Sequence, residues 1–171
     1  MKLVPALAAA LVLVAACSNA TTTGSAGGGK VGIDHPRADS DFWNSYIKYV
    51  PQMAGEQKVD LMPPTNSQND VTKLVSNVQA LVGQGAKAIV MAPQDTGAIA
   101  TTLQQLENKK IPVVTVDTRP DKGKVYMVVR ADNRAYGTKA CEFLGEKLGG
   151  KGKVVQLQGA LSSINGRDRS E

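Results

Sequence analysis

Two short stretches of this sequence carry residue types that bind a small molecule with several hydroxyl groups. Phe42 and Trp43 are adjacent aromatic residues, and a flat apolar ring packs well on the C–H face of a sugar. Asp117 is followed two residues later by Arg119. A carboxylate accepts hydrogen bonds from two neighbouring hydroxyls, and a guanidinium offers a planar fork of donors. These residues predict a carbohydrate or polyol site that performs no chemical step.

Rings and charges of this kind also have plainer structural roles. Both rings could face the core from the first turn of a helix, although successive helix positions lie about 100° apart, so at least one ring should border a cleft. Asp117 could lie in a solvated turn; we favour ligand binding for Asp117 and leave both roles open for Arg119. Arg130, after the next apolar segment, could reach the same cleft or remain in solvent.

No group of residues has the composition of a catalytic or metal site. His35 is the only histidine, which disfavours zinc sites and histidine-based triads. Neither a glycine-rich dinucleotide fingerprint nor a phosphate-binding P-loop occurs. We therefore predict no cofactor and no enzymatic activity, with an enzyme on an α/β scaffold as the disfavoured alternative. Cys141 lies among apolar residues and is predicted to be buried and unreactive.

The elements that would position these residues alternate between apolar strands and amphipathic helices. Strands are predicted over 30–34, 59–62, 86–92, 111–116, 125–129 and 153–157. Helices are predicted to begin at Ser40, at Asn69 or Asp70, at Thr96 and at Asp132, with a further helix cap within 162–165. Pro51 predicts a kink or an early end in the first helix.

This alternation is typical of an α/β fold, a doubly wound parallel sheet with helices on both faces. Ligands of such sheets bind beyond the carboxyl ends of the strands. The segments that hold Phe42, Trp43, Asp117 and Arg130 follow predicted strands, so the fold would bring them to one edge.

The start of the chain predicts export. Lys2 precedes an apolar run over 3–16, shorter than the about 20 residues that span a membrane, as in a secretory signal. The segment ending at Cys17 resembles the lipobox of bacterial lipoproteins, in which the cysteine carries the lipid; an ordinary signal peptide with an incidental cysteine is the alternative. Residues 18–29 are rich in Ser, Thr and Gly and predict a flexible tether. We expect an extracytoplasmic protein, lipid-anchored to the bacterial cell membrane on its periplasmic or cell-surface face.

Charge argues against a nucleic-acid partner. The net charge of +5 is scattered among acidic residues without a basic run, and aromatic residues make up 4% of the chain. Nucleic-acid binding requires a clustered basic face, so we predict no nucleic-acid partner.

Several short motifs occur in an order that resembles a known family. They are Asp41-Phe42-Trp43, Ser67-Gln68-Asn69, Val78-Gln79, Ala92-Pro93-Gln94-Asp95, Pro112 to Asp117, Asp132-Asn133 with Gly137, and Gln158-Gly159 followed by Asn165 to Arg169. From about residue 30 onward the chain resembles the type 1 periplasmic sugar-binding proteins, in the ribose-binding-like branch that feeds ABC importers.

The resemblance implies two doubly wound lobes that close over a sugar. It implies that Phe42 and Trp43, in one motif with Asp41, stack on the sugar, that Asp117 binds its hydroxyls, and that Arg167 reaches in from the second lobe.

The sequence departs from the ribose branch at several cleft positions. Ser40 and Ala92 stand where that branch has asparagines, and Thr118 stands where it has an arginine, with Arg119 one position late. Ribose itself is therefore not predicted as the ligand.

The resemblance also divides the chain. Together with the signal peptide over 1–16 and the lipidated cysteine and tether over 17–29 predicted above, it implies an N-terminal lobe over 30–131 and a crossover with the start of the C-terminal lobe over 132–171. Because the family continues well beyond this point, we expect a fragment with weak or no binding. The expected partners are a sugar or polyol, an ABC transporter permease and the membrane. A receptor that presents its ligand to a membrane sensor kinase is the alternative, and a cytoplasmic repressor is disfavoured by the leader.

Overall fold

The structure, a computed structural model, describes residues 28–171, so the predictions for the leader, Cys17 and most of the tether lie outside the described residues. Within this range the elements are β1 (Val31–His35), α1 (Asp41–Glu56), β2 (Thr65–Asn66), α2 (Val71–Gly83), β3 (Ala88–Met91), α3 (Ala100–Asn108), β4 (Val113–Val116), β5 (Met127–Val129), α4 (Asn133–Lys147) and α5 (Ile164–Ser170). The strands form one parallel sheet in the order β2-β1-β3-β4-β5.

Helices cover both faces of this sheet. Successive side chains of a strand point to opposite faces. Asp34 of β1 accepts a hydrogen bond from Asn77 of α2 at 2.7 Å, whereas the next residue, His35, lies edge-on against Tyr46 of α1 with ring centroids 5.6 Å apart. The predicted doubly wound α/β fold is confirmed by this arrangement.

The hydrophobic core lies between the sheet and α2 and α3. Leu74, Val78 and Leu81 recur at helical spacing on α2 and are buried against Ile89 of β3 and Leu103 of α3. Burying side chains of this size stabilises a fold by about 1.5–3 kcal/mol each. The core therefore fixes the strands whose carboxyl ends carry the candidate residues.

Helix starts follow the predicted caps except at α3, where the start predicted at Thr96 is wrong because the helix begins at Ala100. Ser40, Asp70 and Asp132 are the N-caps of α1, α2 and α4, and each accepts a hydrogen bond from the backbone N–H three residues later. The early end predicted at Pro51 is wrong, because α1 continues to Glu56. Proline removes a single donor, and the helix remains hydrogen-bonded beyond it, as in the bond from Gln57 N–H to the Met53 carbonyl at 2.9 Å.

Two predicted strands are wrong. Over 59–62 the chain forms a single bridge, between Leu61 and Val31, and β2 comes later, after Pro63 and Pro64. Prolines lack the N–H that a strand ladder needs, so they separate these two short pairings. Residues 153–157 form no strand, and Val155 is 86% exposed. An apolar segment becomes a strand only by pairing with a neighbour, and none of the described strands pairs with it.

The predicted burial of Cys141 is also wrong, because its side chain is exposed. Gly137, one turn earlier on the same face of α4, is buried against the backbone of Arg169, and Cys141 lies one turn beyond this contact with α5. No helix among residues 28–171 is long and apolar enough to cross a membrane.

Candidate functional site

The candidate site lies where the carboxyl ends of β4 and β5 meet α5. Asp117 directly follows β4, and Arg130 directly follows β5. Because the strands are parallel neighbours, both side chains start from the same edge of the sheet. α5 packs against α4 and brings Asn165, Asp168 and Arg169 to this edge.

A strained turn presents Asp117. Its φ is +66°, and the N–H of Thr118 donates to the carbonyl of Val116 at 2.7 Å, which closes a γ-turn with Asp117 at the centre. The N–H of Asp117 donates to Val129 at 2.8 Å and ties the turn to the end of β5. A left-handed non-glycine residue costs about 1–3 kcal/mol and tends to occur at functional sites. The turn places Asp117 directly beyond the end of β4, at the edge of the sheet.

Burial and neighbouring charges act on Asp117 in opposite directions. Partial burial raises the pKa of its carboxyl group above the usual 3.8, while the charge of Arg169, the amide of Asn165 and the charge of Arg130 favour the ionised form. The carboxylate is thus surrounded by donors in a half-desolvated setting. Such a group can accept hydrogen bonds from ligand hydroxyls while the arginines donate to other ligand oxygens.

A polar network holds α5 to the rest of the site. The buried amide of Asn133 donates to Asn165 Oδ1 at 3.0 Å, and Arg169 Nε donates to Asn133 Oδ1 at 2.6 Å. Arg130 pairs with Asp168 at 2.6 Å, and its Nε is buried without a partner. Arg130 therefore lies at the carboxyl edge of the sheet, where its charge is matched by Asp168 of α5.

Arg167 makes its contacts elsewhere. Its guanidinium donates to Asp121 and Thr96, and it is not among the charges that act on Asp117. Arg169 is the arginine of α5 whose charge acts on Asp117, and the ligand contact that the family resemblance implies for Arg167 stays a prediction. Residues two positions apart point about 200° apart on a helix, so both arginines cannot face the same group. The sequence signal was available, since Arg169 lies in the same motif, but choosing between the two requires the orientation of α5.

The aromatic pair splits between surface and core. Phe42 is 59% exposed and Trp43 is 6% exposed, with the rings edge-on and their centroids 4.9 Å apart. Ser40 caps α1 by accepting a hydrogen bond from Trp43 N at 3.4 Å, and Asp41 is exposed in the first turn. The ligand contacts of these four residues stay predictions.

Arg119 is exposed, and within residues 28–171 it forms no ion pair, including with Asp117. Its predicted ligand contact likewise stays a prediction. Thr118, between Asp117 and Arg119, is fully buried, and its hydroxyl has no hydrogen-bond partner.

A second buried polar group lies at the end of β1 and was not predicted. His35 is 4% exposed, and neither ring nitrogen has a hydrogen-bond partner. Burial lowers the pKa of His35 below its usual 6.5, with Asp34 acting weakly in the opposite direction. Within the described residues, no three His, Cys, Asp or Glu side chains cluster as a metal site would require.

The sequence of this chain is similar to those of known proteins. The family described as "Periplasmic binding protein domain" matches residues 31–171. The ribose import binding protein of Bacillus subtilis is 31% identical over 139 residues, which cover 81% of this chain and 45% of that protein. The chain thus spans about half the length of the curated relatives it matches.

Solved structures agree in fold. An ABC transporter solute-binding protein of Mycobacterium smegmatis with bound glycerol superposes with a TM-score of 0.77 at 28% identity, covering 84% of this chain and 50% of that one. The Caulobacter myo-inositol binding protein bound to myo-inositol gives a TM-score of 0.76 at 25% identity, covering 82% and 48%.

Proposed function

Because this chain belongs to the periplasmic binding protein family, of the type 1 sugar-binding kind, we propose that it is the extracytoplasmic solute-binding component of an ABC importer and binds a sugar or related polyol. The similar proteins are named for ribose import or are bound to glycerol and myo-inositol, all of them polyhydroxylated molecules. These relatives are binding proteins, in agreement with the prediction that the chain is not an enzyme.

The arrangement around Asp117 carries the proposal. A half-buried carboxylate with Arg169, Asn165 and Arg130 around it offers an acceptor flanked by donors. Each ligand hydroxyl can donate to the carboxylate and accept from a guanidinium, and hydrogen bonds to charged groups contribute about 1.5–3 kcal/mol each. The exposed ring of Phe42 would supply an apolar surface for the C–H face of the ligand.

We propose further that the ligand is enclosed between two lobes. In this division residues 30–131 form the N-terminal lobe, and 132–171 form the crossover and the start of the C-terminal lobe. Arg169 and Asn165 then approach the ligand from the side opposite to Asp117. Among residues 28–171, the seven-residue α5 is the element that faces Asp117 from that side, so we expect residues 1–171 to bind polyols weakly or not at all by themselves.

The leader supports an anchored position. We propose that Cys17 carries a lipid and that residues 18–29 hold the binding domain near a membrane permease. Metabolic labelling with a fatty-acid analogue tests this: the label should attach to the exported protein and be lost in Cys17→Ser. Undiminished labelling of Cys17→Ser would contradict lipidation at this residue.

The decisive experiment for function is calorimetry on two proteins. One is this chain, and the other carries its residues 31–171 followed by the second half of the Bacillus subtilis relative. Titration with ribose, myo-inositol and glycerol should show binding by the longer protein and little by the chain itself. Absence of binding to any polyol tested by a folded chimera would contradict the proposal, and tight binding by the chain alone would contradict the expected weakness. A sensor-kinase receptor is not favoured, because the ribose relative is named as an import protein.

A further inference from the structure

A cluster of Thr96, Asp121 and Arg167 lies beside the candidate site. Thr96 precedes α3, Asp121 lies between β4 and β5, and Arg167 belongs to α5. Thr96 is fully buried, while the side chains of Arg167 and Asp121 are 32% and 31% exposed. The cluster therefore joins the edge of the sheet to the helix that carries Arg169.

Both terminal nitrogens of Arg167 are engaged with protein oxygens. One donates to Asp121 Oδ1 at 2.5 Å and to Thr96 Oγ1 at 3.2 Å, and the other donates to the carbonyl of Leu161 at 2.7 Å. A planar guanidinium held at three points has one orientation. Arg167 thus fixes its own helix and the loop before it.

Backbone contacts reinforce the same junction. The N–H of Thr96 donates to the carbonyl of Ser162 at 3.1 Å, and the N–H of Asp121 donates to the carbonyl of Thr96 at 2.9 Å. Thr96 is therefore in contact with the loop before α5, with Asp121 and with Arg167. Moving α5 would break contacts to a fully buried residue, which makes the junction specific rather than a chance surface pair.

The position of Arg167 on α5 links this junction to the site. Because Arg167 and Arg169 point about 200° apart around the helix, holding one on Asp121 turns the other towards Asn133 and Asp117. Asn165 is likewise held on the opposite side, against Asn133.

We propose that Arg167 is a positioning residue: its ion pair with Asp121 sets the rotation of α5 over the edge of the sheet and thereby the placement of Arg169 and Asn165 around Asp117. In this proposal, the positioning role takes the place of the direct sugar contact that the family resemblance implies for Arg167. The effect on ligand affinity rests on the proposed function, whereas the effect on α5 does not.

Hydrogen–deuterium exchange of the purified protein tests the proposal without a ligand. Arg167→Met and Asp121→Asn should each speed exchange of the α5 amides by about five- to tenfold, and the double variant should add little to either. Glu107→Gln is the matched control, since it removes one partner of the exposed Glu107–Lys124 pair at 3.5 Å and should leave α5 unchanged. In the chimera, affinity for ribose, myo-inositol or glycerol should fall by a similar factor in Arg167→Met and in Asp121→Asn.

Two results would overturn the proposal. One is unchanged α5 exchange in both single variants. The other is loss of ligand binding in Arg167→Met with normal binding in Asp121→Asn, because this would indicate a direct ligand contact by Arg167. If the unsubstituted chimera binds no polyol, the proposed function fails, and the exchange of α5 still decides whether Arg167 positions the helix.

Discussion

Replacing Gly137 with alanine tests the close approach of the two helices that build the site. Alanine is favoured over glycine in a helix interior by about 1 kcal/mol, so α4 by itself should gain stability. In the folded protein the new Cβ would lie 2.6 Å from the carbonyl oxygen of Arg169 and 3.1 Å from its carbonyl carbon. Ordinary contact begins at 3.4 Å, so α5 must withdraw by the difference from 2.6 Å, about 0.8 Å.

That withdrawal acts on the polar network of the site. The bond from Arg169 to Asn133 is 2.6 Å long, and the bond from Asn133 to Asn165 is 3.0 Å long, so both would be stretched or lost. Asn133 is buried, and a buried polar group without its partner costs about 1–3 kcal/mol. Together with overpacking, this outweighs the gain in helix propensity, and we expect a net loss of about 1–3 kcal/mol in the α4–α5 contact.

The assay is hydrogen–deuterium exchange of α4 and α5 together with urea unfolding. The matched control is Gly145→Ala in the same helix, because a Cβ at that position meets no atom within 4 Å. The control should be neutral or gain up to about 1 kcal/mol. If the α5 amides exchange as slowly in Gly137→Ala as in Gly145→Ala, Gly137 is not required for the close approach of the two helices.

Four further outcomes are expected. Asp117→Asn should weaken polyol binding by the chimera at least about tenfold in calorimetry, because ligand hydroxyls lose a charged acceptor; unchanged affinity would remove Asp117 from the site. Since burial lowers the pKa of His35 from 6.5, the unfolded chain binds that proton more readily, so the free energy of unfolding should fall as the pH drops below this value. Urea titrations should show that this slope flattens in His35→Gln, and an equal slope would argue against burial. Leu81→Ala should cost about 2–5 kcal/mol, whereas Leu157→Ala, at a 93% exposed position, should cost little in the same assay. Iodoacetamide should label Cys141 in the native protein at the rate of a free thiol, and protection until unfolding would contradict its exposure.

Local signals in the sequence predicted most of the helix starts, although not that of α3. Ser40, Asp70 and Asp132 cap their helices because a cap bonds to a backbone N–H three residues away, which local sequence alone can specify. The apolar spacing on α2 predicted its buried face for the same reason. Where structure depended on a distant partner, prediction failed: residues 153–157 are apolar enough for a strand but pair with none of those described.

The candidate site also combines a feature that local sequence predicts with features that depend on contacts between distant residues. Asp117 was identified from its place after a buried strand, a rule of parallel sheets that requires no coordinates. Its γ-turn and the choice of Arg169 over Arg167 could not be read from the sequence, because they depend on how β5 and α5 meet the end of β4. The burial of His35 likewise depends on Tyr46 lying across it from α1.

By itself, then, the sequence determined the α/β alternation, most of the helix caps and the carboxylate at the end of a strand. These follow from periodicity, caps and order along the chain, which act over a few residues. Only the tertiary structure decided which arginine faces Asp117, which aromatic ring is exposed and which face of α4 is buried. Those outcomes depend on the rotation of one element against another, and that rotation is set by contacts between residues far apart in the chain.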